Sequence, residues 1–125
     1  LVVGAATAVM EQSRQITLNP FQGMSEAERN VMDPAIRDAL KTFAVLDGAF
    51  VVREDGVVLA AGRYLQASSD RVRLPMGLGA RHRAAAAMTA VTRSVAVTVS
   101  QTTGTVRVFK DGEIVLELRQ TARRI

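Results

Sequence analysis

Apolar residues follow two rhythms along this chain. Val95-Ala96-Val97-Thr98-Val99 is short, β-branched and nearly continuous, which predicts a buried strand. Two more strand-like runs, Thr105 to Phe109 and Ile114 to Leu118, flank Asp111-Gly112, a dipeptide suited to a hairpin turn. Ala49 to Val52 and Val57 to Ala61 form a similar pair across Arg53-Glu54-Asp55-Gly56. The second rhythm is helical. Ile36, Leu40 and Phe43 share one face of a helix that Asp33 caps, Pro34 opens and that runs to about Val45. Ser25 to Glu28 reads as a capping box that starts a short helix before it. The alanine-rich stretch from about Ala80 to Arg93 predicts another helix. Leu1 to Ala6 reads as a short strand, residues 12–24 and Gly62 to Leu74 as loops, and Gln101 to Gly104 as a turn. The order is strand, helix, hairpin, helix and three strands. That predicts an α/β fold, a mixed β-sheet flanked by helices, in a single domain over residues 1–125.

Composition narrows the class. The chain has 125 residues, enough for one core, and 48% of them are hydrophobic, as in a globular domain. No apolar run approaches the ~18–20 residues that span a bilayer, and no signal-peptide pattern opens the chain. Its first residue is Leu rather than Met, which gives the expectation of a domain excised from a longer chain. The absence of cysteine excludes disulfides and thiolate metal sites and fits a cytoplasmic setting. Net charge is +4, with Lys only at Lys41 and Lys110, and part of the arginine excess falls in the tail from Arg119 to Arg124. The basic residues are scattered and only Tyr64 lies near them as a stacking aromatic. A solvated basic surface is therefore the plainer reading, and nucleic-acid binding is expected only through regions beyond this stretch.

Candidate chemistry concentrates in Gly79-Ala80-Arg81-His82-Arg83-Ala84-Ala85. The glycine-rich run before it cannot be helical throughout, so Arg81, His82 and Arg83 fall in the first turn of the helix. A helix start carries partial positive charge and unpaired N–H groups and favours acids. Two arginines there oppose that preference, and a bound phosphate would reverse the sign. Asp47-Gly48 shows the opposite conflict. Gly48 suits a helix C′ position, while a carboxylate near a helix end opposes the dipole. Local rules tend to fail at functional sites. A carboxylate for a divalent cation and two arginines for phosphates together suggest a nucleotide site. A single histidine excludes a histidine-based zinc site. Ser100, His82 and Asp47 could be drawn as a triad, but no spacing supports it. Gly77-Leu78-Gly79 lacks the spacing and lysine of a phosphate-binding fingerprint.

Asp47-Gly48-Ala49, followed about 30 residues later by Gly79-Ala80-Arg81-His82-Arg83-Ala84-Ala85, resembles the diadenylate cyclase domain. That is the catalytic domain of the DNA-integrity-scanning protein and of related cyclic di-AMP synthases. The resemblance continues through Ala61-Gly62-Arg63-Tyr64-Leu65 and through Val97 to Val106, covering roughly Ile36 to Val115. Leu18-Asn19-Pro20-Phe21 and the Gly-Ala-Arg-His variant look most like the archaeal-type branch. The resemblance implies ATP as substrate and cyclic di-AMP as product, with Mg²⁺ or Mn²⁺ as cofactor. It implies that Asp47 lies near the reacting 3′-hydroxyl and holds the metal, while Gly48 and Ala49 let backbone approach the nucleotide. Gly62, Tyr64 and Leu65 match the segment that receives adenine. Gly79, Arg81, His82 and Arg83 match the triphosphate contacts, with Ser100 near the phosphates. A two-fold symmetric product implies a homo-oligomer whose catalytic domains face each other, with no membrane contact by this domain. Two departures from many relatives stand out. Ala80 replaces Thr, and Gln101-Thr102 replace acidic residues after the serine, which puts more of the metal binding on Asp47.

The competing expectations are a catalytically silent regulatory module that binds ATP or cyclic di-AMP, and a nucleic-acid-binding domain held by positive charge. The last predicts a steep salt dependence of binding.

Overall fold

The computed structural model describes residues 1–70 and 72–119. The strands are β1 (Val2–Val3), β2 (Ser13–Gln15), β3 (Ala49–Val52), β4 (Val58–Leu65), β5 (Val95–Val99), β6 (Val106–Lys110) and β7 (Glu113–Leu118). The helices are α1 (Ala6–Glu11), α2 (Pro34–Phe43) and α3 (Ala80–Val91), with a 3-10 turn at Glu26–Glu28. All strands join one seven-stranded sheet in the order β2-β4-β3-β1-β5-β6-β7. β1 and β3 are parallel and every other neighbouring pair is antiparallel, so the sheet is mixed as expected.

Alternation along the central strands divides the core in two. Val2, Val51, Ala96 and Phe109 point to the face covered by α1 and α3, where they meet Val9, Met88 and the alanines of α3. Val52, Val58 and Ala61 point to the other face, under Phe21 and Ile36. Small alanines let α3 lie close to the sheet, with Ala86, Ala87 and Met88 fully enclosed. The second layer stops short. Among the described residues nothing covers the face opposite α3 over β5 to β7, and Val99, Leu116 and Leu118 stay about half exposed.

Both hairpins form where Asp-Gly was placed. Asp111 and Gly112 have φ of +53° and +80°, so both central residues of a two-residue turn are left-handed. Between β3 and β4, Gly56 N donates to Arg53 O at 3.0 Å or less (2.9 Å), and the Arg53 guanidinium grips both Asp55 and Glu26. Asp33 caps α2 by accepting from Ala35 N at 2.9 Å.

Several expectations are corrected. The strand read over Leu1 to Ala6 is only Val2–Val3, because the chain turns at Gly4 (φ +88°) into α1. No capping box forms at Ser25, whose side chain caps nothing. Glu28 N instead bonds the Ser25 carbonyl, giving a single 3-10 turn. The loop read over 12–24 contains β2, and the loop read from Gly62 contains the last turn of β4 to Leu65. The helices read to Val45 and Arg93 end at Phe43 and Val91, and β6 starts at Val106 rather than Thr105. The end of the basic tail, after Arg119, lies outside the described residues.

Phe109 is fully buried beneath α3. Phe109→Ala is expected to cost about 3–5 kcal/mol, measured as a lower urea midpoint with an unchanged slope.

Candidate active site

Register brings the sequence-predicted residues to one edge of the sheet. β3 starts there, directly after Asp47-Gly48. β4 ends there, because Ala49 pairs with Arg63. β5 runs antiparallel to β1 and so also ends at this edge, with Ser100 next. β6 starts there, since Val106 pairs with Val99. α3 starts there as well: His82 meets Arg107 near the start of β6, while Thr89 meets Gly112 in the turn at the opposite edge. β4 and β5 therefore run parallel, with α3 as their crossover. The carboxyl ends of such strands are where α/β sheets collect ligands.

The turn at Asp47-Gly48 is defined by a backbone-to-backbone approach. Gly48 has φ of +99°, and a Cβ there would lie 2.6 Å from Gly62 C and 2.8 Å from Gly62 Cα. Only glycine fits. Gly62 is itself left-handed (φ +72°), and a Cβ on it would overlap the Thr17 hydroxyl. The pairing passes from Ala49–Arg63 to Val51–Ala60, so β4 carries an extra residue at this point, a bulge. Its backbone groups find partners in the segment read as loop. Asn19 Nδ2 donates to Leu59 O at 3.1 Å, Asn19 Oδ1 accepts from Ala61 N at 3.2 Å, Gln15 Nε2 donates to Ala61 O, and Ile16 N donates to Gly62 O at 3.0 Å. Asn19, Gln15 and Thr17 are thus site-shaping residues that sequence reasoning missed. Asn19-Pro20 was read only as part of the loop over 12–24 and of the archaeal-type resemblance.

Asp47 is exposed, and none of the ion pairs among the described residues includes it. It stands three residues beyond Ala44, the C-cap of α2. The dipole acts within the last turn, so the expected conflict with a helix end does not arise. The carboxylate is presented to solvent by the Gly48 turn instead. Ala49 begins β3 and is half-buried.

Beyond the bulge, Arg63 turns inward and donates to Met10 O at 2.8 Å and Ser13 O at 2.7 Å, holding the C-terminal end of α1. Tyr64 is 51% exposed, with the Arg14 guanidinium 5.5 Å from its ring centre. The Leu65 side chain packs against the core under α3.

The start of α3 keeps the conflict read from sequence. Gly79 supplies no side-chain cap, the first turn holds no acid, and Arg81 and Arg83 are exposed without an ion-pair partner among the described residues. Arg81 lies near the start of β1. The Leu1 carbonyl there accepts from Val97 N at 2.8 Å. His82 is half-buried, its ring 6.3 Å from Phe109 and its Nε2 3.3 Å from Arg107 Nη1. Burial, then Arg107 and Arg81, hold its pKa below the usual histidine value. Ser100 closes a turn: its hydroxyl accepts from Thr103 N at 3.3 Å and its carbonyl from Gly104 N at 2.8 Å.

Among the described residues no three His, Cys, Asp or Glu side chains gather to hold a metal. A lone carboxylate suits Mg²⁺, which commonly takes one or two protein carboxylates and completes its shell with water and substrate phosphates. Asp47 therefore fits a cation that arrives with a nucleotide.

Residues 3–114 match the family model DAC, described as DisA bacterial checkpoint controller nucleotide-binding. The chain belongs to the DAC family. Two relatives, each named diadenylate cyclase, come from Methanocaldococcus jannaschii and Haloferax volcanii. The first is 45% identical over 93% of this chain and 36% of its own length, and the second 43% identical over 94% and 42%. The cyclic di-AMP synthase CdaA of Bacillus subtilis is 40% identical over 61% of this chain and 27% of its own. The DAC chain thus spans well under half of these relatives. A solved structure of a hypothetical membrane spanning protein from Bacillus cereus shares the fold at a TM-score of 0.64 and 23% identity, covering 90% of this chain and 51% of its own. No helix among the described residues of the DAC chain is long and apolar enough to cross a membrane.

The glycine geometry gives a matched pair of substitutions. Gly77 is also left-handed (φ +93°) but has open space around it. Gly77→Ala is expected to cost about 1–2 kcal/mol from the backbone alone. Gly48→Ala adds steric overlap with β4 and is expected to cost roughly 3 kcal/mol or more. Urea unfolding of the two variants checks the difference.

Proposed function

We propose that this chain is the catalytic domain of a diadenylate cyclase, which joins two ATP molecules into 3′,5′-cyclic di-AMP and releases two pyrophosphates. The observation that carries this reading is the shared sheet edge. In a chain of the DAC family, the exposed Asp47 carboxylate and the uncapped, doubly cationic start of α3 lie at the same end of parallel strands.

On this reading Arg81 and Arg83, with the free N–H groups of α3, take the triphosphate. His82 adds a neutral donor, and Ser100 lies beside the phosphates. Tyr64 offers a face to adenine, and Leu65, whose side chain is committed to the core, offers backbone. Gly48, Ala49, Gly62 and Gly79 let main chain come close to the nucleotide. Asp47 would hold Mg²⁺ or Mn²⁺, and that ion would supply neutralisation of charge as pyrophosphate leaves. Each 3′-oxygen forms a bond to the α-phosphorus of the other ATP, the bond to pyrophosphate breaks, and the hydroxyl proton passes to the Asp47 carboxylate and on to water. Positioning and charge neutralisation supply most of the rate in such a transfer. The product's two-fold symmetry calls for two domains facing each other across a C2 axis, each bringing one ATP. The reading sets the domain in the cytoplasm, with its substrate.

Two substitutions separate the roles. Asp47→Asn is expected to cut product formation about a hundredfold or more while leaving most ATP binding. Arg83→Ala is expected to weaken ATP binding by roughly 10–100-fold, the worth of a charged hydrogen bond, and to lower turnover with it. Calorimetry with ATP and chromatography of the products read both. Near-normal turnover by Asp47→Asn would contradict the role given to that carboxylate. ATP binding by the unsubstituted chain without product would leave a silent nucleotide-binding module.

A further inference from the structure

Behind His82 stands an ion pair that the proposed chemistry does not use. Arg107 of β6 lies opposite Thr98 of β5 and Glu117 of β7 on the face under α3. Its Nε donates to Glu117 Oε2 at 3.0 Å, and its side chain is only 15% exposed. Glu117 is held from its other oxygen by Arg119 Nε at 2.7 Å. The free arm of the guanidinium reaches His82, with Nη1 3.3 Å from Nε2. Phe109, two residues further along β6, backs the imidazole ring.

The donor inventory decides what this contact is. Arginine carries only N–H donors and does not lose its proton in proteins. A hydrogen bond to it requires a lone pair on Nε2, so the ring proton must be on Nδ1 and the imidazole must be neutral. In water the other neutral tautomer is the commoner one, so the contact imposes a choice. We propose that Arg107, pinned by Glu117, is a positioning residue that fixes His82 as the neutral Nδ1–H tautomer at the start of α3. This rests on the cyclase reading for its purpose. His82 then gives a phosphate one oriented N–H donor without adding a titrating charge between the fixed charges of Arg81 and Arg83.

The groups facing His82 agree. Arg107 approaches from β6, Arg81 from its own helix, and Glu117 of β7 is spent on the two arginines. β5 contributes Thr98, whose buried hydroxyl has no partner, and Arg63 of β4 is turned away to Met10 and Ser13. Among the described residues no carboxylate bonds to the ring. The depressed His82 pKa follows from burial and these two positive charges.

His82 is the only histidine, so a long-range ¹H–¹⁵N spectrum of the labelled chain contains one imidazole. In the unsubstituted chain the expected spectrum has Nδ1 protonated and Nε2 unprotonated near neutral pH, with a titration midpoint below that of free histidine. An Nε2–H tautomer there would overturn the proposal. The double variant Arg107→Met with Glu117→Gln removes the pair without stranding a buried charge. Its midpoint is expected to rise, its tautomer to shift to Nε2–H, and the acid-side inflection of its pH–rate profile to move up with the midpoint. Arg107→Lys, which keeps a charge and a donor, is expected to restore part of the tautomer preference. An unchanged midpoint and tautomer in a folded double variant would also overturn the proposal. These spectra need no turnover. A chain that makes no cyclic di-AMP yet shows the Nδ1–H ring would cost the cyclase reading and leave the positioning role in place.

Discussion

The contact between Gly48 and Gly62 is the constraint on which the rest of this architecture depends. Two left-handed glycines meet backbone to backbone where β3 begins and β4 bulges. The meeting sets the turn that presents Asp47. It also re-aims the end of β4, sending Arg63 inward to α1 and leaving Tyr64 outward. A bulge interrupts a ladder, and the freed backbone groups need partners. Gln15, Ile16 and Asn19 supply them at Leu59, Ala61 and Gly62. A segment with no repeating pattern thus becomes the brace of the candidate site.

The opposite wall follows a different rule. α3 is held to the sheet by small side chains and Met88, so its start can carry residues that its own dipole disfavours. Packing of the apolar face outweighs a few tenths of a kcal/mol to ~1 kcal/mol of unfavourable charge placement. The result is an anion-ready helix end on a rigid support. Arg107 and Glu117 extend that support to the one ring in the cluster. Carboxylate and cations stand at one edge, on elements that pair through the sheet interior and not through each other.

Much of this was legible in the chain. Asp111-Gly112 and Asp55-Gly56 marked their turns because left-handed φ values select such residues locally. Asp33-Pro34 marked the start of α2, and the clash of Arg81 and Arg83 with a helix start marked the candidate phosphate site. What was missed depends on partners far along the sequence. Ala5, the residue that leads into α1, has φ of +45°, and its N–H donates to Glu54 Oε1 at 2.6 Å, a partner supplied from the β3–β4 turn. β2 has three residues, Ser-Arg-Gln, too few and too polar to show a period. The last turn of β4 hid behind Gly62, which reads as a break and is a bulge. Ser25 lost its capping role because Arg53 holds Glu26 and the chain tightens to a 3-10 turn. The Arg107–Glu117 pair had a weak signal, one charge of each sign at facing positions of a hairpin.

One measurement tests the central claim most directly. The purified chain is incubated with ATP and Mg²⁺ or Mn²⁺ over a series of protein concentrations, and products are resolved by chromatography and mass spectrometry. Cyclic di-AMP is the expected product, with activity per molecule rising with concentration until the facing pairs are formed. Full activity in a strictly monomeric preparation would contradict the face-to-face arrangement. ATP binding with no cyclic di-AMP at any concentration would contradict the assignment of catalysis to this chain.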